Sequence, residues 1–347
     1  MLHPPVAATA WSVRERRLGV GLATLACLNL LIVLWSQTAP PKSVTEAAPW
    51  ISTAKYIDLT HVIEPGMPLW PAFANPKVAA ATAGNAEPGL VAEGEEFTYA
   101  KQGFVATSYQ LSTDQMGTQL DPPAHWNEYG ATISDLPPTF ALRPLVVVDV
   151  SAKVAQDPGY HAGRADIEAW EAIYGRVPAG SVVMIRSDWS KGWADFTANG
   201  LPAAWPGVAL DALKFLHLER GILVHGHEPL DTDMTPSLEG EAWLMHHNFA
   251  QIEGAANLHL LPPTGSLISI GFARLLGGSG GYARLVAICP PEWPHGVSIA
   301  EAPGAPLPAQ RFPLRRGADG VLRPTEGATP TEYCSDESHS LGCPLPE

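Results

Sequence analysis

Thr113-Asp114-Gln115-Met116-Gly117-Thr118-Gln119-Leu120-Asp121-Pro122-Pro123-Ala124-His125-Trp126 is the stretch around which the rest of the chain is arranged. It sets two carboxamides, a histidine and Asp121 among one glycine and two prolines, and it is too short and too interrupted to be a helix. The prolines remove backbone donors and Gly117 admits an unusual φ, so the polar side chains are displayed by a rigid turn leaving a strand. Asp121 and His125 are the two chemically capable groups, and their spacing across Pro122-Pro123 lets them converge on one cavity. The plain alternative is a proline-rich surface loop in which Asp121 caps a turn and His125 is incidental.

On the N-terminal side, residues 55–62 (KYIDLTHV) alternate as a strand, stopped by Glu64-Pro65-Gly66-Met67-Pro68. Residues 73–102 lack a period and read as a long loop or irregular hairpin placed as a lid. Residues 105–111 read as the strand that delivers the central run. Beyond it, 144–150 (PLVVVDV) form an unbroken apolar run expected of a strand buried on both faces, 166–174 an amphipathic helix, and 182–186 the next buried strand, followed by Ser187-Asp188-Trp189-Ser190. Residues 210–218 read as a second amphipathic helix, with His217 a surface or packing residue, and 221–225 as a further strand. Strands alternating with helices indicate an α/β fold.

Two later stretches carry polar chemistry. His225-Gly226-His227-Glu228-Pro229-Leu230-Asp231-Thr232-Asp233 leaves a strand end, where α/β sheets place ligands; turn-forming residues around one buried histidine are the bland alternative. Residues 243–251 (WLMHHNFAQ) look helical and carry His246 and His247, of which only one can face a shared site because neighbours on a helix diverge by about 100°; Glu253 follows. The run Gly277-Gly278-Ser279-Gly280-Gly281 lacks a following Lys-Ser/Thr pair and leads into a strand (YARLVAIC), so it is a glycine hairpin and not a phosphate loop.

The 347 residues, 46% hydrophobic, suffice for a sizeable core, and 34 prolines and 32 glycines indicate many fixed turns. A net charge of −14 argues against nucleic acid and anionic lipid as partners, since counterion release needs a basic surface. Residues 18–35 are almost wholly apolar and follow Arg14, Arg16 and Arg17, so 1–35 read as a signal peptide or uncleaved signal anchor and 36–49 as a linker. The folded part, 50–312, is then expected outside the cytoplasm, in a periplasmic setting, touching the membrane only through its N-terminal segment. Residues 313–347 read as a tail in which Cys334 and Cys343 are placed for a local disulfide. Cys27 and Cys289 read as small buried residues.

The central run resembles the signature of the cyclase or kynurenine-formamidase-like family of metal-dependent hydrolases, H-x-G-T-H-x-D-x-P-x-H. Here it reads Q-M-G-T-Q-L-D-P-P-A-H: Gly117, Thr118, Asp121, Pro123 and His125 match, and Gln115 and Gln119 stand where the family has two metal-binding histidines. The opening D-L-T strand, the 225–233 segment, the I-E-x-x-x-N-L pattern at Glu253 and the glycine turn follow in the family's order over roughly 56–290. The resemblance implies an α/β, swivelling β/β/α-type single domain with a buried mixed sheet and flanking helices. It implies hydrolysis of the C–N bond of an amide, formamide or cyclic amide, of which arylformamidase action on N-formylkynurenine in tryptophan catabolism is the best known; relatives open the ring of isatin.

The same resemblance implies one divalent metal ion, Mn or Zn, held by Asp121, Glu253 and either His246 or His247, with Gln115 and Gln119 at the positions of the exchanged histidines. His125 and Asp121 would be catalytic, His125 moving protons near the metal, and His227, Glu228 and Asp233 would line the pocket of a small-molecule substrate. Carboxamide oxygens are poorer zinc ligands than imidazoles and favour harder ions. Three outcomes are open: a hydrolase of altered metal preference, a metal-free hydrolase relying on His125, or a non-catalytic metabolite-binding protein that kept the pocket. Homo-oligomers are common among such relatives.

Overall fold

The computed structural model describes residues 49–82, 94–301, 307 and 312–329. The chain divides into two units, Met1–Ser52 and Thr53–Glu347. Of the first, residues 49–52 are described, the opening of a short helix at Trp50–Thr53. The apolar segment 18–35, most of the linker, and Cys27, Cys334 and Cys343 lie outside the described residues. Among those described, no helix is long and apolar enough to cross a membrane.

The second unit carries the strands β1 (Lys55–Asp58), β2 (Lys77–Ala80), β3 (Thr107–Gln110), β4 (Gln119–Asp121), β5 (Leu142–Asp149), β6 (His161–Ala162), β7 (Val182–Arg186), β8 (Gly207–Val208), β9 (Val224–His227), β10 (Ala250–Glu253), β11 (Ser266–Phe272), β12 (Gly281–Cys289), β13 (Leu314–Arg316) and β14 (Leu322–Pro324). Its principal helices are α1 (Arg164–Tyr174), α2 (Trp193–Asn199), α3 (Leu210–Lys214) and α4 (Glu239–His246). Seven strands close into a ring in the order β12-β11-β5-β7-β9-β10-β4, and β4 returns to β12 through Leu120↔Gly281 and Gln119↔Tyr282. β1 occupies the rest of that β12 edge, from Lys55↔Cys289 to Asp58↔Val286. The consecutive pairs from β5 through β10 are parallel, joined by segments that carry the helices, and the other pairs of the ring are antiparallel. The mixed α/β domain expected from the sequence is thus present, with its sheet rolled into a barrel.

Strand alternation builds the two cores. Leu120, Leu145, Val147, Val182, Met184, Val224 and Ile252 point into the ring and form one buried cluster. Their neighbours Val146, Val148, Val183 and Ile185 point outward against Ile167 and Trp170 of α1 and Ala212 and Leu213 of α3. That two-sided burial is why β5 and β7 are unbroken apolar runs. Further round the outer face, from β9 to β10 to β4, the outward residues turn polar, and there the site lies.

Several expected elements shift. The strand at 105–111 shortens to β3 and pairs with β2 in a separate two-stranded sheet, so the central run leaves no strand of the ring but contains one, β4. The stretch 73–102 holds β2 and a short helix, Tyr99–Gln102. The strand expected at 221–225 is β9, three residues later, because Gly221 ends the preceding helical turn in a left-handed conformation. The helix at 210–218 ends at Lys214 and widens into a π-type turn over Phe215–Arg220, where His217 is buried against Phe249. The helix expected at 243–251 begins earlier and stops at His246; Asn248, with φ +63°, turns the chain into β10. Within the stretch read as a tail, β13 and β14 form a hairpin, and Arg316 bonds the carbonyl of Ala106 beside β3.

At the start of α1, Asp166 accepts hydrogen bonds from the Gly163 amide (2.8 Å), the Tyr160 hydroxyl (2.8 Å) and Lys153 Nζ (2.5 Å). Burial alone would raise its pKa, but these donors outweigh it and hold the carboxyl below its usual range. Asp166→Ala is expected to lower stability by about 1–2 kcal/mol at pH 7. Because the folded-state pKa is depressed, that contribution is complete above the ordinary carboxylate value and disappears as pH falls through the folded value. Urea unfolding of both proteins at pH 7 and pH 3 checks this, and a difference that fails to narrow at pH 3 counts against the arrangement.

Candidate active site

β4 and β10 run antiparallel with Asp121 opposite Gln251 and Glu253 opposite Gln119. Because side chains alternate along a strand, Leu120 and Ile252 enter the ring core while these four polar groups share the outer face. The result is a square of two carboxylates and two carboxamides set on opposite diagonals. Gln119 Nε2 donates to Glu253 Oε2 (2.8 Å) and Asp121 Oδ2 (3.3 Å), and Gln251 Nε2 donates to Glu253 Oε1 (2.8 Å) and Asp121 Oδ2 (3.4 Å). Gln251 is held in that orientation from behind: its Oε1 accepts from the Thr232 hydroxyl (2.5 Å), which lies 3.1 Å from His227 Nε2.

A third carboxylate comes from α4. Glu241 shares a helix face with Leu244 and Met245, and all three are buried. Oxygens of Asp121, Glu241 and Glu253 lie within 4.8 Å of one another. Burial, with the Glu241 carboxylate adding to it, pushes Asp121 up to about 7 against the opposing effects of His125, Gln251 and Gln119. Glu253 rises well above its usual range, again by burial first and then by Glu241, Asp121 and Asp231. Asp121 Oδ1, Glu241 Oε2 and Gln119 Oε1 are buried with no hydrogen-bond donor. Three buried acids whose oxygens converge, two of them with an oxygen no donor satisfies, form a donor set suited to a cation.

His125 closes one side. Its Nδ1 lies 2.5 Å from Gln115 Nε2 and its Nε2 lies 3.2 Å from Glu241 Oε1. Taking the Gln115 amide as donor places the ring hydrogen on Nε2, pointing at Glu241. Burial lowers the His125 pKa, but the bond to Glu241 and the charges of Asp121, Glu241 and Asp114 outweigh it, so the net direction is upward. Gln115 also donates to the Ser279 carbonyl (3.1 Å), and a Cβ on Gly280 would come within 2.4 Å of Gln115 Cγ. The glycine hairpin is therefore the seat of Gln115. Trp126 Nε1 adds a 2.9 Å bond to Glu241 Oε1.

Glu241, Glu253 and His125 floor a cavity of about 270 Å³ with walls that include Trp70, Phe73, Leu230 and Leu238. Leu238 sits at φ +46°, an unfavourable value for leucine, in the turn that starts α4.

The structure gathers Asp121, Gln119, Glu253 and His125 from the sequence reading, with Gln115 beside His125 and directed to it. His246 and His247 are not part of the site: both are exposed past the point where α4 turns away, and His247 stacks on Trp243. The helix residue facing the acids is Glu241. Nor do His227, Glu228 and Asp233 line the cavity. His227 lies behind Gln251 with its pKa lowered to about 4 by burial. Glu228 accepts from the Ser187 hydroxyl (2.7 Å) and is raised by burial, and Asp233 accepts from the Thr235 and Gly240 amides (2.8 Å each) at the start of α4. The sequence reading missed Glu241, Gln251 and Asp231. Glu241 had a signal, an acid three and four residues before Leu244 and Met245 on the apolar face of a helix; Gln251 was hidden by the misplaced helix end.

The sequence profile described as "putative cyclase" matches residues 57–234, more than half of the chain. The chain belongs to the putative cyclase family. Within that family it is 29% identical over 201 residues to isatin hydrolase of Roseibium aggregatum, covering 54% of this chain and 76% of the relative. Isatin hydrolase A from Ralstonia solanacearum superposes with a TM-score of 0.61 at 24% identity, over 73% of this chain and 99% of the other. An isatin hydrolase bound to the product analogue thioisatinate gives 0.60 at 21%, over 81% and 100%. These structures share the cyclase-family fold. The profile includes Asp121 and His125 but stops short of Glu241 and Glu253, which the fold supplies.

Asp233 secures the helix that carries Glu241, so Asp233→Ala is expected to lower stability by about 1–3 kcal/mol. Chemical unfolding of this cyclase-family protein measures it; unchanged stability would show that the cap is idle.

Proposed function

We propose that this protein is a metal-dependent hydrolase that opens a cyclic amide at its C–N bond, with the ion held by Asp121, Glu241 and Glu253. The observation that carries the reading is the convergence of three buried carboxylates, two of them with an unsatisfied oxygen, beside a cavity whose lining among the described residues holds no lysine or arginine. The likeness to isatin hydrolases favours a lactam over an N-formyl arylamine, and the small cavity with Trp70 and Phe73 in its wall suits a flat ring. A divalent cation supplies charge stabilisation for an amide oxygen and a nucleophile at neutral pH. The donors are all oxygens, which favours Mn²⁺ or Mg²⁺ over Zn²⁺.

The protein's own groups divide the remaining work. Gln119 and Gln251 brace the carboxylates through their amide hydrogens, so the acids stay in place without a lysine or arginine between them. His125 carries a proton on Nε2 at the cavity wall, placed to hand it to the departing ring nitrogen, and Gln115 fixes the ring that does so. Trp70, Phe73 and Leu230 restrict water and present flat surfaces to a planar substrate.

Protein purified without chelator is expected to hold about one divalent ion per chain by elemental mass spectrometry. Glu241→Gln and Glu253→Gln are each expected to weaken Mn²⁺ binding by more than about 100-fold. His125→Ala should lower kcat for isatin by about 10²–10⁴-fold with ion content unchanged. Full ion content in Glu241→Gln removes that residue from the site. Ion binding without turnover of isatin or of an N-formyl arylamine would leave a metabolite-binding protein.

A further inference from the structure

The three converging acids do not use all the negative charge of the cavity. Asp231 lines the cavity beside Glu241 and Glu253, on the turn between β9 and α4 and outside the converging group of three. It is only 8% exposed, and among the described residues nothing donates a hydrogen bond to it or pairs with it. Its carboxyl opens on the cavity, and burial, followed by the charges of Glu241, Asp233 and Asp121, pushes its pKa up to about 8, a cost that a cation entering the cavity would offset.

The charge count gives the sign of that partner. Ionised around a divalent ion, the carboxyls of Asp121, Asp231, Glu241 and Glu253 carry four negative charges, of which the ion offsets two and His125 at most one, so the loaded site stays negative. Among the described residues, no lysine or arginine lines it to receive an anionic substituent. Trp70 and Phe73, with ring centroids 5.6 Å apart, add aromatic faces of the kind that attract organic cations.

We propose that Asp231 makes this cavity selective for amides that also carry an ammonium group, and that it discriminates against acidic substrates. The inference rests on the reading that the other three carboxylates hold a metal ion.

The test uses the full chain loaded with Mn²⁺ and two matched probes, benzylammonium and benzyl alcohol, with dissociation constants from calorimetry or tryptophan fluorescence. The cation is expected to bind roughly tenfold or more tightly than the alcohol. In Asp231→Asn the ratio is expected to fall to about one, with the affinity for benzyl alcohol and the ion content unchanged. A ratio near one in the wild-type protein overturns the proposal without any variant. So does a preference that survives Asp231→Asn, or loss of the ion in that variant, which would make Asp231 a ligand. Isatin turnover with an intact ion and no charge preference defeats this inference alone. An Asp231-dependent preference without isatin turnover defeats the lactam reading and leaves the charge preference standing.

Discussion

Keeping three buried carboxylates together, with no lysine or arginine between them, is the constraint on which this structure depends. Two unit charges 4 Å apart repel by about 4 kcal/mol at an effective dielectric near 20, and burial together with that repulsion is what raises Asp121 and Glu253 above the usual carboxylate range. The chain meets this with amides instead of ions. Gln119 and Gln251 are neutral, cost little to bury while bonded, and each spans Asp121 and Glu253. Amide nitrogens offer partial positive charge without filling the centre, so the oxygens that point inward stay available to a cation.

The barrel makes the arrangement geometric. Opposed residues on β4 and β10 alternate in step, so the pairing that sends Leu120 and Ile252 into the core also sends the polar square outward. A slip of one residue would bury the acids in the ring and expose the apolar pair. The core thus enforces the register of the site. On the loop after it, Gly254, at φ +61°, packs so closely on the Gly117 carbonyl that a Cβ would come within 2.2 Å of that oxygen. Gly117 of the central run and Gly254 next to Glu253 meet there back to back.

Much of this was legible in the chain. The β-branched runs of β5 and β7 announced strands covered on both faces, and the spacing of Gln119, Asp121 and His125 announced a display of polar groups. What escaped were boundaries that depend on single backbone conformations. Asn248 in a left-handed conformation separates α4 from β10 inside a segment whose residues all tolerate a helix. Reading through it carried Gln251 onto the wrong element and drew attention to His246 and His247. Histidines suggested chemistry by residue type, whereas the group that faces the acids is Glu241, placed by helix phase. His227, Glu228 and Asp233 were found at the right end of the right strand, yet burial turned them toward the scaffold.

β4 is three residues long, and through Leu120 and Gln119 it also closes the ring onto β12. The strand that bears Gln119 and Asp121 is thus the seam of the barrel, held on one side by two residue pairs. The closing seam of the barrel and two of the site's polar groups thus share one three-residue strand, so a change that loosens β4 from β12 also displaces Gln119 and Asp121.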